Sequence, residues 1–94
     1  MRHYIIVKFK PEVDWGVLVE PIRALFQRTL DIEGITGVWT YPSNSCRANR
    51  SHLMIEMELT AAALETYDRS ELHFRWKETY GPLLESKIIF DRES

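Results

Sequence analysis

The order in which hydrophobic periodicity changes along the chain constrains its fold more than any other feature. Residues 3–10, HYIIVKFK, are β-branched and aromatic and predict a strand. Alternation places His3, Ile5, Val7 and Phe9 on one face, and Tyr4, Ile6, Lys8 and Lys10 on the other. Pro11 ends the strand because it brings no N–H to a ladder. From Glu20 to Asp31 the period lengthens: Ile22, Leu25, Phe26 and Leu30 recur at helical spacing, with Arg23, Gln27 and Arg28 opposite. Asp14 is placed to cap a first turn at Trp15, and Pro21 to sit in the first turn of the main helix after a bend. Gly34 stops that helix.

Period two then returns twice. Residues 35–41, ITGVWTY, predict a second strand with Gly37 as a possible bulge site. The polar stretch PSNSCRANR, residues 42–50, is a loop of turn formers. Residues 52–59, HLMIEMEL, predict a third strand with Leu53, Ile55, Met57 and Leu59 on one face, and His52, Met54, Glu56 and Glu58 on the other. Thr60 caps a helix running through AAALETY, with Ala63, Leu64 and Tyr67 on one side. Asp68-Arg69-Ser70 breaks it, and Ser70 caps a further helix from Glu71 to about Tyr80, closed by Gly81-Pro82. Residues 86–91, SKIIFD, predict a fourth strand.

The resulting order, β-α-β-β-α-β over one domain spanning residues 1–94, is the split βαβ, ferredoxin-like plan. This is an α+β fold, with a four-stranded antiparallel sheet and helices on one face. The other face carries Tyr4, Ile6, Val38 or Trp39, and Ile88 or Ile89, and exposed apolar sheet surface implies association. A domain of 94 residues buries only somewhat over about 60% of its unfolded surface, so a partner subunit would add stability. A homodimer with sheets face to face is therefore expected.

Composition excludes several classes of function. A net charge of −2 gives no basic field for nucleic acid or anionic lipid. The opening MRHYIIVKFK is broken by Lys8 and Lys10, so it reads as neither signal peptide nor membrane span, which implies a cytoplasmic protein. The single cysteine, Cys46, rules out an internal disulfide, fits a reducing compartment and reads as a loop thiol. No HxH, HxxxH or CxxC spacing is present, so no metal site or cofactor is expected.

HYIIVKFKPEV, the IEGITGVW turn and strand, SHLMIEMELTAAALETY and ELHFRWKETYGPLLESKIIFD together resemble the stress-responsive A/B barrel (Dabb) family. The resemblance covers essentially the whole chain. It implies a ferredoxin-like homodimer whose two sheets close a dimeric α/β barrel. Most members have no assigned activity. One relative of this fold, the plant polyketide cyclase olivetolic acid cyclase, uses a tyrosine and a histidine as a cofactor-free acid/base pair. Their positions fall on Tyr67 and His73, and two further histidines fall on His3 and His52. The resemblance thus implies a pocket between sheet and helices that takes a small carbonyl-bearing or aromatic molecule, with His3, Ile5, Val7, Phe26 and Trp76 on its wall. The chain departs from the family's His-Pro-x-His, reading Ser70-Glu71-Leu72-His73, and by alternation His52 falls on the polar face with Glu56 and Glu58.

Tyr67 and His73 are candidates for proton chemistry whose spacing poses a geometric condition. On one unbroken helix, six residues turn through about 600°, leaving the two side chains about 120° apart. They converge only if the chain breaks at Ser70. In an apolar pocket His73 would accept a proton and Tyr67 would donate to a developing oxyanion. Otherwise Tyr67 packs in the core and His73 pairs locally. His3 reads equally as a pocket group or a satisfied strand-end histidine, and Trp76 and Tyr80 also fit core packing. Two alternatives remain to the pocket reading: a non-catalytic dimeric stress-response module, and the related small dimeric-barrel monooxygenases, some of which bind haem.

Overall fold

Four strands, β1 (Arg2–Phe9), β2 (Ile35–Pro42), β3 (Leu53–Leu59) and β4 (Leu84–Arg92), are present in a computed structural model that describes residues 1–94. They pair into a single antiparallel sheet in the order β2-β3-β1-β4. The helices are α1 (Val19–Gln27), α2 (Ala61–Asp68) and α3 (Glu71–Tyr80), with 3-10 turns at Trp15–Leu18, Arg28–Asp31 and Gly81–Leu83. This is the ferredoxin-like α+β arrangement. None of the helices is long and apolar enough to cross a membrane.

Alternation decides which side of each strand is buried. Ile5, Val7 and Phe9 of β1 and Leu53, Ile55, Met57 and Leu59 of β3 are buried under the helices with Ile22, Leu25, Phe26, Ala63, Tyr67 and Trp76. Each of the Val, Leu, Ile, Met and Phe side chains among them contributes about 1.5–3 kcal/mol of burial. The opposite face has no cover within the chain, and Trp39, Tyr41, Ile88 and Phe90 are exposed there. Register resolves the two open choices on that face. Ile6 pairs with Ile88 and Ile5 with Ile89, so Ile88 shares the outer face with Tyr4 and Ile6, whereas Ile89 faces the helix side. On β2, Val38 is buried and Trp39 points outward.

Local chemistry sets the element ends. Thr60 and Ser70 cap α2 and α3, their hydroxyl oxygens accepting from the N–H groups of Ala63 and His73. Gly34 adopts φ +95°, and a Cβ there would lie 2.7 Å from the Thr60 hydroxyl, so a turn residue without a side chain is required. The β2–β3 ladder shifts between Ile35 and Gly37, where the sequence predicts a bulge.

Four expectations change. Leu30 is exposed and Thr29 is buried in its place, because the helix tightens to 3-10 geometry after Gln27 and brings residue i+3 under Phe26. The Thr29 hydroxyl donates to the Phe26 carbonyl at 2.6 Å. Asp14 precedes the first turn but makes no side-chain cap. Gly81 stays in the helical region (φ −50°), so α3 ends by tightening through Gly81–Leu83 instead of by a left-handed glycine. His52 is not on the polar sheet face. It lies just before β3, where strand alternation does not apply, and its ring stacks 4.9 Å from Trp15 and 6.1 Å from Phe9.

Candidate functional site

A cavity of about 230 Å³ opens where β4 runs out beyond the helix layer. Strand pairing sets Asp91 opposite His3, Ile89 opposite Ile5 and Lys87 opposite Val7. The inner side of β4 is nevertheless exposed, since the helices cover β1 and β3 but stop short of it. The cavity fills that step. His3 and Ile5 form its floor, Leu64, Tyr67 and Asp68 come from α2, His73 and Trp76 from α3, and Lys87, Ile89 and Asp91 from β4.

The break between α2 and α3 brings Tyr67 and His73 together. Ser70 holds both sides of it: its hydroxyl donates to the Tyr67 carbonyl at 2.7 Å and accepts from the His73 N–H at 3.1 Å. The two rings then meet edge-on, with centroids 4.9 Å apart and planes at 61°. The imidazole Nδ1 lies 3.0 Å from the Asp68 carbonyl oxygen. A neutral ring that donates from Nδ1 leaves Nε2 as its basic atom.

Tyr67 is 1% exposed, wedged among Phe26, His3 and His73, with ring centroids 6.4, 6.3 and 4.9 Å away. Its hydroxyl is buried and has no hydrogen-bond partner. Leaving such a group unpaired costs about 1–3 kcal/mol. Two other buried polar atoms are unpaired, Arg2 Nε and Thr40 Oγ1, but neither residue lines this cavity. Burial pushes the phenol well above its ordinary range, and the neighbouring Asp68 carboxylate adds to this. The phenol therefore keeps its proton and acts as a donor. Burial also lowers the pKa of His73, against the Asp68 carbonyl and carboxylate and with help from the Lys77 and Lys87 cations. The pair thus consists of a proton-holding phenol and an imidazole biased toward its neutral, basic form.

His3 supplies a second imidazole. It is buried, and its Nδ1 lies 2.5 Å from Asp91 Oδ1, an arrangement that orients the ring with Nε2 free. Of the wall residues expected from sequence, His3, Ile5 and Trp76 line the cavity. Val7 and Phe26 do not: both are sealed in the solid core, at 0% and 1% exposure, and Phe26 instead backs Tyr67 and Trp76. Leu64, Asp68, Lys87, Ile89 and Asp91 went unrecognised as wall residues. Pairing β4 against β1 and counting by twos would have found the last three.

His52 lies at the other end of β1, near Phe9, and takes no part in this cavity. Its Nδ1 accepts the Phe9 N–H at 3.0 Å. No group of three or more His, Cys, Asp or Glu side chains converges as metal ligands would.

No protein-family model and no curated protein matches the chain. Solved structures do match. A dimeric ferredoxin-like protein of unknown function from Thermobifida fusca superposes with a TM-score of 0.79 at 14% identity, covering 95% of this chain and 85% of that one. A Dabb family protein with a ferredoxin-like fold from Mesorhizobium loti gives 0.74 at 17% identity, covering 99% and 94%. Hydroxynitrile lyase from Passiflora edulis gives 0.75 at 14% identity, with the same coverage of 99% and 94%. At these identities the likeness establishes the fold alone: the chain has a ferredoxin-like architecture, as the Mesorhizobium loti protein has.

Proposed function

We propose that this protein is a homodimer joined through its outer sheet faces, and that each subunit's cavity takes a small, mostly apolar carbonyl-bearing or aromatic molecule. Tyr67 and His73 act on it as an acid/base pair of the cyclase or lyase kind. The observation that carries this reading is the buried Tyr67 hydroxyl, which has no partner in the protein and belongs to a residue that lines the same cavity as His73. A ligand carbonyl oxygen would complete it. His73 Nε2 would then take a proton from the carbon next to that carbonyl. The C–H electron pair moves into the enolate, and Tyr67 O–H holds the resulting oxyanion. Addition of the enolate carbon to a second carbonyl closes a C–C bond, and return of the proton from His73 restores the pair. A relative in fold that carries the name of a lyase is consistent with chemistry of this class. Dimerisation is supported by the uncovered aromatic and aliphatic outer face, and by relatives in fold described as dimeric.

Acetophenone in D₂O tests the reaction step. The wild-type protein should accelerate deuterium uptake at its methyl group, and Tyr67→Phe and His73→Gln should each abolish the acceleration. Uptake equal to buffer, or unaffected by both changes, sinks the acid/base assignment. Sedimentation separates the assembly from the chemistry: His73→Ala should stay dimeric, whereas Ile88→Asp should give monomers.

A further inference from the structure

A second hollow, of about 410 Å³, lies at the opposite end of the sheet, lined by Trp15, Ser43, Asn44, Ser45, Cys46 and His52. Along β1, the six residue steps from His3 to Phe9 put about 20 Å between the two ends. The loop that forms the hollow is anchored to the sheet. The Ser43 N–H donates to the His52 carbonyl at 2.8 Å, and the His52 N–H donates to the Val7 carbonyl at 2.9 Å.

Its polar groups are arranged as donors. Because the Phe9 N–H donates to His52 Nδ1 at 3.0 Å, the proton of the neutral ring resides on Nε2. Ser43 Oγ accepts from the Ser45 N–H at 3.1 Å, and Ser45 Oγ accepts from the Arg47 N–H at 3.3 Å. Both hydroxyls are thereby left with their own hydrogens to give. The Asn44 amide adds two more N–H bonds. No carboxylate lines the hollow, and the sequence carries no Asp or Glu between Glu33 and Glu56, while Arg47 and Arg50 both fall in that interval. The remaining wall is the Trp15 indole, held nearly parallel to His52 and Phe9, with interplanar angles of 14° and 3°.

We propose that this hollow is a second ligand site, specific for a small oxyanion (a phosphate or a carboxylate) carried on a planar body that lies against Trp15. The hydroxyls of Ser43 and Ser45 and the His52 Nε2–H bind the oxyanion, and Trp15 supports the ring. The site is independent of the Tyr67 cavity and of the chemistry assigned there.

Cys46 is exposed on the rim and is the only cysteine in the chain, so its alkylation by iodoacetamide reports occupancy directly. Phenyl phosphate should slow that alkylation severalfold and shift the Trp15 and His52 resonances in amide spectra. Phenol, which has the ring without the oxyanion, should do neither. The double change Ser43→Ala/Ser45→Ala should weaken phenyl phosphate about tenfold or more, two charge-assisted hydrogen bonds being lost. If that variant melts lower than wild type, Trp15→Leu provides the second test and should also weaken binding. Protection by phenol equal to that by phenyl phosphate, protection unchanged in both variants, or no protection at about 10 mM phenyl phosphate, a concentration that only trivially weak sites survive, overturns the proposal.

Discussion

His3 and His52 stand near opposite ends of β1, and the fold uses them differently. The His52 ring is packed against Trp15 and Phe9, and its Nδ1 satisfies the Phe9 backbone N–H just past the last β1–β3 pair, Val7 with Leu53. That imidazole replaces a missing ladder bond. His3 makes a carboxylate contact with Asp91 and borders a cavity also lined by Tyr67, whose buried hydroxyl is left unpaired. One end devotes one ring nitrogen, Nδ1, to the backbone and leaves only Nε2–H to its hollow. The other keeps a costly open valence among acid/base groups. Buried polar groups are ordinarily satisfied, so an unsatisfied one beside a cavity points to a ligand, whereas a satisfied atom such as His52 Nδ1 points to architecture.

The difference predicts unequal consequences for the histidines. His52→Ala strands the Phe9 N–H and removes a stacked ring, and should cost about 1–3 kcal/mol in urea unfolding. His73→Ala removes a half-buried ring with one hydrogen bond, to the Asp68 carbonyl, and one edge-on contact with Tyr67, and should cost far less; equal losses would erase the distinction. Ser70→Ala should cost about 1 kcal/mol as a lost cap, and should also let α2 and α3 straighten relative to each other. In nuclear Overhauser spectra the Tyr67–His73 ring contacts should then weaken, while Trp76–Phe26 contacts persist.

The smallest effect is a pH dependence. The folded-state pKa of His73 lies below that of the unfolded chain, where imidazole titrates near about 6.5. As pH falls through that value, the unfolded state takes up a proton that the folded state resists, so stability is lost on acidification and is fully present above it. His73→Gln should flatten the fall in urea midpoint between pH 7.5 and 5.5. A steeper fall in the variant would reverse the assigned direction.

Strand faces were legible because burial on one side of a sheet enforces period two, and the Ile5-Val7-Phe9 and Leu53–Leu59 sets leave no alternative register. The break at Ser70 was legible because a capping serine follows an Asp-Arg pair that ends an apolar run. Leu30 was misread because 3-10 tightening depends on how Thr29 docks beneath Phe26, which no local pattern encodes. The role of His52 was hidden because it sits one residue outside its strand. The contributions of Lys87, Ile89 and Asp91 to the cavity required the pairing of segments eighty or more residues apart, and knowledge that the helices stop short of β4.

Tyr67→Phe tests the central claim most directly, through thermal and urea unfolding of the ligand-free protein. If the hydroxyl is an unfilled donor awaiting a ligand, its removal relieves an unpaired buried group. Stability should then hold or rise by up to about 1–3 kcal/mol, while deuterium exchange into acetophenone is lost. A destabilisation of about 1 kcal/mol or more would mean that the hydroxyl already has a partner in the fold, and would contradict the account.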